Sequence, residues 1–357
     1  MSKKANQQPH KEEGSKPADE TPKEAPVEEK PAAVRPVDAN VAEVLVNREA
    51  LKRFVEDVRC KGISEVSDKE KVTQAELFEN FLLEAKKGQG AIVTATDTHI
   101  NLVIAQHLLK EGDELKVVNE GRIPVTNIAD CLTAITRVGG DKKGRNIQLI
   151  YPDEENKVRL TRIGTETAWS FITEGEEKLT SLEKTDSLRH KWSPEKDCVI
   201  SYSKDNIEIP WPVKVKVIPS MLRELAKDVS SFVKQGVTNL KLADGKMLFF
   251  LGDATASRKG SRDLQPITRK KLEVEMAKEE RKGVEWNVVK STKWVDAADD
   301  ATPIEARYYH GLYAVIGNID DSFTTEIHFC NILGGWMMWV HAENATARMD
   351  YMIPYDK

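Results

Sequence analysis

Two titratable side chains of complementary kinds stand two residues apart in Thr94–Val103, TATDTHINLV: Asp97 and His99. On a strand, residues i and i+2 share a face, and a carboxylate beside an imidazole is a pairing used in general acid–base catalysis. Catalysis asks for more. It needs mutual geometry that neighbours on one strand supply only loosely, and a further polar partner within reach. The sequence offers no clear candidate for that partner. It also lacks GxxxxGK[ST], GxSxG, HExxH and an acidic EF-hand loop. Cys60, Cys131, Cys198 and Cys330 lie far apart, with no CxxC or zinc spacing. They read as reduced, mostly structural thiols. No metal, no cofactor and no enzymatic activity is expected. Trp336 and Trp339, in GGWMMWV, could stack a ligand or a base, but a strand packed into a sheet is the better reading. His310 and His328 are isolated, and no role is assigned to them.

These residues need a scaffold, and length and composition bound it. A chain of 357 residues allows roughly two domains. No apolar run approaches the ~18 residues of a membrane helix. The charged N-terminus has no apolar core of a secretory signal, so a secreted protein is not expected. A net charge of −5 argues against a protein coated in nucleic acid, yet leaves room for a local basic surface.

The first forty residues, 1–40, are rich in Lys, Glu, Pro and Ala and contain no Phe, Trp or Tyr. Such a segment buries too little apolar surface to offset its ordering entropy, and disorder is expected. A partner tether is one role for it; a solvated leader is the simpler one. Beyond Val41, NREALKRFVEDVRCKG predicts a helix with Leu51, Phe54, Val55 and Val58 on one face. Residues 77–109 predict a hairpin and a further strand. A short strand follows, then a helix over Asn127–Val138, capped by Asn127 and stopped at Gly139–Gly140. Three short strands fill Ile147–Thr173. The order then returns: a strand in PWPVKVKVIP, a helix in SMLRELAKDVSSFVKQG with Ser220 as N-cap, a hairpin turning at Asp244–Gly245, a helix in ARYYHGLYAVIGNI and three closing strands. Between the halves, Glu174–Ile209 is polar and weakly patterned, a long connector. The charged stretch Ser257–Thr302 interrupts the second half. Its run RKKLEVEMAKEERKG, Arg269–Gly283, could be a partner-binding or DNA-binding helix; a solvated insertion is the better reading.

Several stretches, in this order, resemble the DNA sliding clamps of the proliferating cell nuclear antigen family. ALKRFVEDV is similar to their first inner helix, and TATDTHINLVIAQHL to their AMDxSHVxLV strand. IPVTNIADCLTAITRVGGDKKGRNIQLIY resembles the second helix, its Gly-containing loop and the next strand. NIEIPWPVKVKVIPSMLRELAKDV resembles the end of the interdomain connector and the start of the second domain, and RMDYMIPYDK the closing strand and tail. The resemblance spans Val41–Tyr355. The leader, Ser64–Ala75, Ser257–Thr302 and the long connector around Lys178–Asp205 depart from the pattern. Thr96–Asp97 stands where the family has Met-Asp, with one residue fewer before His99.

The resemblance implies an α+β fold of two similar clamp-type domains, with sheets outside and two helices each on the inner face, closing as an oligomer into a ring. The boundaries are 41–173, a connector 174–209, and 210–357 with an insertion at about 257–302. It implies a homotrimer around duplex DNA, held without base contacts, and partners in a clamp loader and in polymerase and repair enzymes that dock short peptides. The protein would sit in the cytoplasm or nucleus, wherever DNA is replicated. Phosphate attraction of this kind needs basic side chains on the inner helices. The candidates are Lys52, Arg53, Arg59, Lys61, Arg137, Lys142, Lys143, Arg145, Arg223, Lys227, Lys234 and Arg307. Glu56, Asp57, Glu224 and Asp228 interrupt them, and charge alone favours ordinary solvated faces. With the resemblance, Lys52, Arg59, Arg137, Arg223 and Lys227 read as DNA-facing. By position, His99, Leu102, Ile207, Ile209, Pro210, Met352, Ile353 and Pro354 would line a pocket for a partner's short helix with aromatic anchors. Ile100 reads as core. A clamp-fold polymerase accessory, checkpoint or transcription protein that does not encircle DNA is the alternative. An enzyme built on Asp97 and His99 is a distant third.

Overall fold

Helix α1, Arg48–Arg59, forms where four apolar residues fall at helical spacing, and Leu51, Phe54, Val55 and Val58 are all buried. The Asn47 side-chain oxygen accepts from the backbone N–H of Glu49 (2.9 Å) and Ala50 (3.1 Å), a cap worth about 1 kcal/mol. Helix α2, Ile128–Val138, is capped by Asn127, which accepts from the Asp130 N–H, and Gly139 ends it at φ 70°. The computed structural model describes residues 41–59, 65–66, 72–73, 78–96, 104–139, 144–171, 190–224, 237–243, 246–251, 261–264, 268–297, 303–309, 315–332 and 334–355. Asp97, His99 and Ile100 lie outside the described residues, as do the leader, Cys60, Asp244–Gly245 and His310. No described helix is long and apolar enough to cross a membrane.

Most of the rest is strand, so the expected α+β balance gives way to a mostly-β fold with few helices. The strand order repeats. In the first half, Ala168–Phe171, Val158–Arg162, Ile147–Tyr151, Ala42–Val46 and Leu115–Asn119 lie side by side. Ile104–Lys110, Gly90–Thr96, Phe81–Lys86 and Gly121–Val125 form a second row. In the second half, Ala347–Ile353, Gly335–Glu343, Thr324–Ile332, Val213–Val217 and Thr268–Arg281 repeat the first row. Ser261–Leu264, Lys246–Leu251, Val237–Ala243 and Ile304–Tyr309 repeat the second. The two halves meet at one seam, where Ala347–Ile353 runs antiparallel to Ile104–Lys110 from Ala347–Leu109 to Met352–Ile104. Ala168–Phe171 and Ser261–Leu264 hold the corresponding places in the other two rows, and among the described residues each is the last strand of its sheet.

The helix-side core runs through the seam. Met349, Tyr351 and Ile353 point into it from the closing strand. His107 packs edge-on between Phe54 (6.3 Å) and Tyr351 (4.9 Å), and burial pushes its pKa down to about 3. A neutral imidazole is thus a packing element there, joining α1 of the first half to the last strand of the second.

Three expectations change, and one is given its form. The connector is not structureless: His190–Ser193, Cys198–Tyr202 and Glu208–Pro210 form a three-stranded sheet. Arg269–Gly283, read as a solvated insertion in preference to a partner or DNA helix, is a largely exposed strand and its turn. Thr268–Arg281 pairs with Val284–Asp296 in a long hairpin arm, turned at Lys282 (φ 52°) and Gly283 (φ 75°), the two left-handed residues of a tight hairpin turn. Arg307 sits on a strand, because Ile304 and Tyr308 are buried at a period of two while Glu305 and Arg307 are exposed. The helix after PWPVKVKVIP begins at Pro219, whose fixed φ suits a first helical turn, so Ser220 lies inside that turn and is not the cap. Trp336 and Trp339 lie on a sheet strand, as expected.

Candidate functional site

Two surfaces collect the expected site residues. On the helix side, Lys52, Arg53 and Arg59 all belong to α1. Arg53 is exposed, and Lys52 is half-buried with its ammonium 3.8 Å from Glu56. Arg137 is exposed in the last turn of α2, which lies beside α1: the Arg48 Nε donates to the Ile135 carbonyl at 3.3 Å. The rest of the exposed face of α2 is Ala129, Asp130, Thr133 and Thr136, and both threonine hydroxyls donate to carbonyls one turn back. Arg145, exposed beyond α2, donates to the Gly112 carbonyl at 3.4 Å. Arg223 is committed inside the protein, donating to the Ile319 carbonyl (2.7 Å) and pairing with Asp321 (2.6 Å). Lys61, Lys142, Lys143, Lys227 and Lys234 lie outside the described residues.

The acids on α1 matter to this charge balance. Burial pushes Asp57 up to about 7, against the lowering charge of Arg53, with Asp320 and Glu56 adding to the rise. Near neutral pH the carboxyl is therefore partly discharged, and the field at α1 is more positive than a count of acids implies. Burial also raises Asp320, but hydrogen bonds from Ser322 and the charges of Arg53 and Arg223 outweigh it and hold that carboxyl low.

The second surface is the opposite sheet face, beneath the connector. Alternation on the three closing strands sends Cys330, Trp339 and Met352 into one cluster with Val199 of the connector and Trp211 just beyond it. Met352 is 1% exposed there, whereas Ile353, its neighbour, points through the sheet into the helix-side core. The expected pocket residues are thus split. Ile207 (37%) and Ile209 (36%) stay exposed on the connector, and Pro210 and Pro354 are half-buried. His99 and Leu102 lie outside the described residues; Ile104, further along the same segment, packs on the Met352 cluster.

A polar network underlies the connector. The fully buried Asp350 carboxylate sits 2.6 Å from His341 Nδ1, accepts from Trp339 Nε1 at 3.0 Å and pairs with Arg348 at 2.8 Å. Burial raises that carboxyl, but the charge and hydrogen bond of His341, with Arg348 and Trp339, hold it below the usual range. Lys214 reaches Glu326 (3.2 Å) and, on the connector, Asp197 (2.6 Å). Burial raises Glu326 too, yet His328 and Lys214 bring it down to about 2. Trp192 of the connector stacks on His341, centroids 3.8 Å apart and planes 15° from parallel. Glu208 is buried between connector and arm, accepting from the Val289 N–H (3.0 Å) and pairing with Arg281 (2.8 Å). Each of these acids has at least one fixed partner, and the Lys214–Asp197 pair and the Trp192–His341 stack tie the connector to the sheet beneath. Among the described residues no group of three or more His, Cys, Asp and Glu is placed to hold a metal.

Trp192, Trp211, His341 and Asp350 were missed from sequence. The signal was there: Glu326 and His328, Trp339 and His341, Asp350 and Met352 alternate onto the same face, too mixed for solvent and too polar for a core.

No family model and no curated protein matches the chain. Solved structures do. PCNA of Thermococcus kodakaraensis aligns over 89% of this chain and 100% of its own, at 12% identity and a TM-score of 0.50. The PCNA2–PCNA3 complex of Sulfolobus tokodaii aligns at 13% identity over 88% and 98%, TM-score 0.49. PCNA of Entamoeba histolytica aligns at 9% over 89% and 99%, TM-score 0.49. The fold is PCNA-like. At 12% identity the likeness to the Thermococcus protein fixes the path of the chain and not the side chains.

Proposed function

We propose that this protein is a DNA sliding clamp: copies close into a ring around duplex DNA and tether a polymerase and repair enzymes, with no catalysis of their own. The observation that carries the reading is the repeat. One place in the strand order is paired within the chain, at the seam, and its equivalents, Ala168–Phe171 and Ser261–Leu264, both end their sheets among the described residues. Edge pairing of these two between copies is a head-to-tail contact that closes a ring if the rotation closes. Two clamp domains per copy, 41–173 and 210–357 joined by 174–209, make a homotrimer. The basic residues of α1 then face the hole, and phosphate attraction without base contacts lets the ring slide. A clamp loader opens the ring, and partner peptides dock at the connector, near Ile207 and Ile209. The protein acts where DNA is replicated, in cytoplasm or nucleus.

A second reading has its own observation. The described helix faces carry few free-standing cations, since Arg223 is committed to Asp321 and the face of α2 is mostly neutral. A non-encircling clamp-fold polymerase accessory, checkpoint or transcription protein fits that balance. Native mass combined with retention on circular against linearised DNA decides between them. A trimer that stays on circles and runs off linear ends supports the clamp; a monomer at micromolar concentration sinks it.

A further inference from the structure

Trp192 occupies a position unlike the other buried aromatics. It is half-buried, on His190–Ser193, a four-residue strand at the end of the connector sheet with one neighbouring strand among the described residues. Its ring lies flat on His341 and meets His328 edge-on at 5.3 Å, while its flank packs on the cluster of Met352, Trp339 and Trp211. The floor beneath it is polar and fully buried. His328 is 0% exposed, and among the described residues neither of its ring nitrogens makes a hydrogen bond, the Glu326 carboxylate standing 3.6 Å from Nε2. A site with an imidazole floor and an apolar wall suits a flat aromatic ring, and here the chain supplies that ring itself.

We propose that Trp192 is a displaceable plug. It fills in cis an aromatic-selective site on the outer face of the second half, and a short peptide bearing an aromatic side chain takes its place when a partner docks. This rests on the reading of the connector as the partner-docking element. The His190–Ser193 strand is held by one ladder, so it belongs to the part of the protein that opens locally before the sheet beneath. Occupancy in cis lowers the apparent affinity for any partner peptide by the fraction of time the plug is open. Partners with weak or singly anchored peptides are excluded, and those with strong aromatic anchors are admitted.

The test uses the full chain and one reagent, diethyl pyrocarbonate, which acylates accessible histidine nitrogens and is read by peptide mass. His341 lies under the plug; His107, in the helix-side core, reports on global opening. Trp192→Ala is expected to raise the rate at His341 at least tenfold with His107 unchanged. N-acetyl-L-tryptophanamide is expected to slow His341 again in that variant, and N-acetyl-L-leucinamide is not. An unchanged His341 rate, or equal protection by the two amides, overturns the proposal. If the variant also exposes His107, the wild type decides through hydrogen exchange. Amides of His190–Tyr202 should exchange at least tenfold faster than those of Gly335–Glu343, and equal rates overturn the plug. Native mass and DNA retention are read on the same preparations, so a failure of the clamp reading is not mistaken for a failure of the plug.

Discussion

The seam and the two strands that end their sheets among the described residues occupy the same place in a repeated strand order, yet they are built differently. At the seam, Ala347–Ile353 and Ile104–Lys110 are seven-residue strands in continuous register, with Met349, Tyr351 and Ile353 all 2% exposed or less. The edges, Ala168–Phe171 and Ser261–Leu264, are four residues each. The first leaves Trp169 43% exposed, and the second carries Arg262 and Asp263. Short strands and charge are how proteins keep an open edge from pairing indiscriminately. The contrast teaches that one junction is part of folding, while its counterparts are the strands that the clamp reading proposes to pair between copies.

The seam should therefore break hardest. Tyr351→Ala removes a fully buried ring that packs on His107, and its hydroxyl contact with the Asp57 carbonyl at 3.4 Å. A loss of about 3–5 kcal/mol is expected in urea unfolding, as for other large-to-small changes in a core. A loss under about 1 kcal/mol would mean that the halves do not depend on the seam. Trp169→Glu at the edge should do the reverse: unfolding shifts by no more than about 0.5 kcal/mol, as for an exposed site, while sedimentation shows at least a tenfold weaker oligomer. An unchanged oligomer removes that edge from assembly.

The helix side sharpens the same division between built-in and free groups. Reversing Lys52, Arg53 and Arg59 to Glu together should weaken DNA retention. It should also flatten the salt dependence by about 0.9 in slope for each phosphate that is no longer neutralised. Arg223→Glu should act mainly on stability, because that guanidinium already serves Asp321 and the Ile319 carbonyl. Equal salt slopes for wild type and the triple variant would leave α1 without a role at DNA.

Much of this was legible because period and punctuation agree. Helices α1 and α2 combine apolar spacing of 3.6 with an Asn cap, and the three closing strands alternate between turn residues. Where two periods compete, the reading failed. Ala306–Ile319 holds enough apolar residues for a helix, but Ile304, Ala306 and Tyr308 alternate and the segment begins as a strand. Arg269–Gly283 reads as a solvated insertion without a definite form; the Lys282–Gly283 turn is the overlooked signal for a hairpin. Candidate cations could be named from sequence, but their partners could not. Whether Arg223 meets DNA or Asp321 depends on residues about a hundred positions away, and no local pattern encodes that.

The smallest effect is a change of slope with pH. Asp57 titrates at about 7 in the folded protein against an ordinary value of 3.8, so between those limits the folded state holds a proton that the unfolded chain has lost. Stability from this group is complete below about pH 4 and falls as pH rises towards 7, the reverse of the depressed acids Asp350, Asp320 and Glu326. Those three favour folding as pH rises, so the total curve mixes both signs. The difference between wild type and Asp57→Asn isolates one. The variant, neutral throughout, should gain on the wild type from pH 4 to 7.5 by on the order of 1–2 kcal/mol, after allowance for screening at a half-buried site. A difference curve that is flat, or falls with pH, would show that Asp57 ionises freely in the folded state. The acid beside Arg53 would then count in full against the positive face of α1.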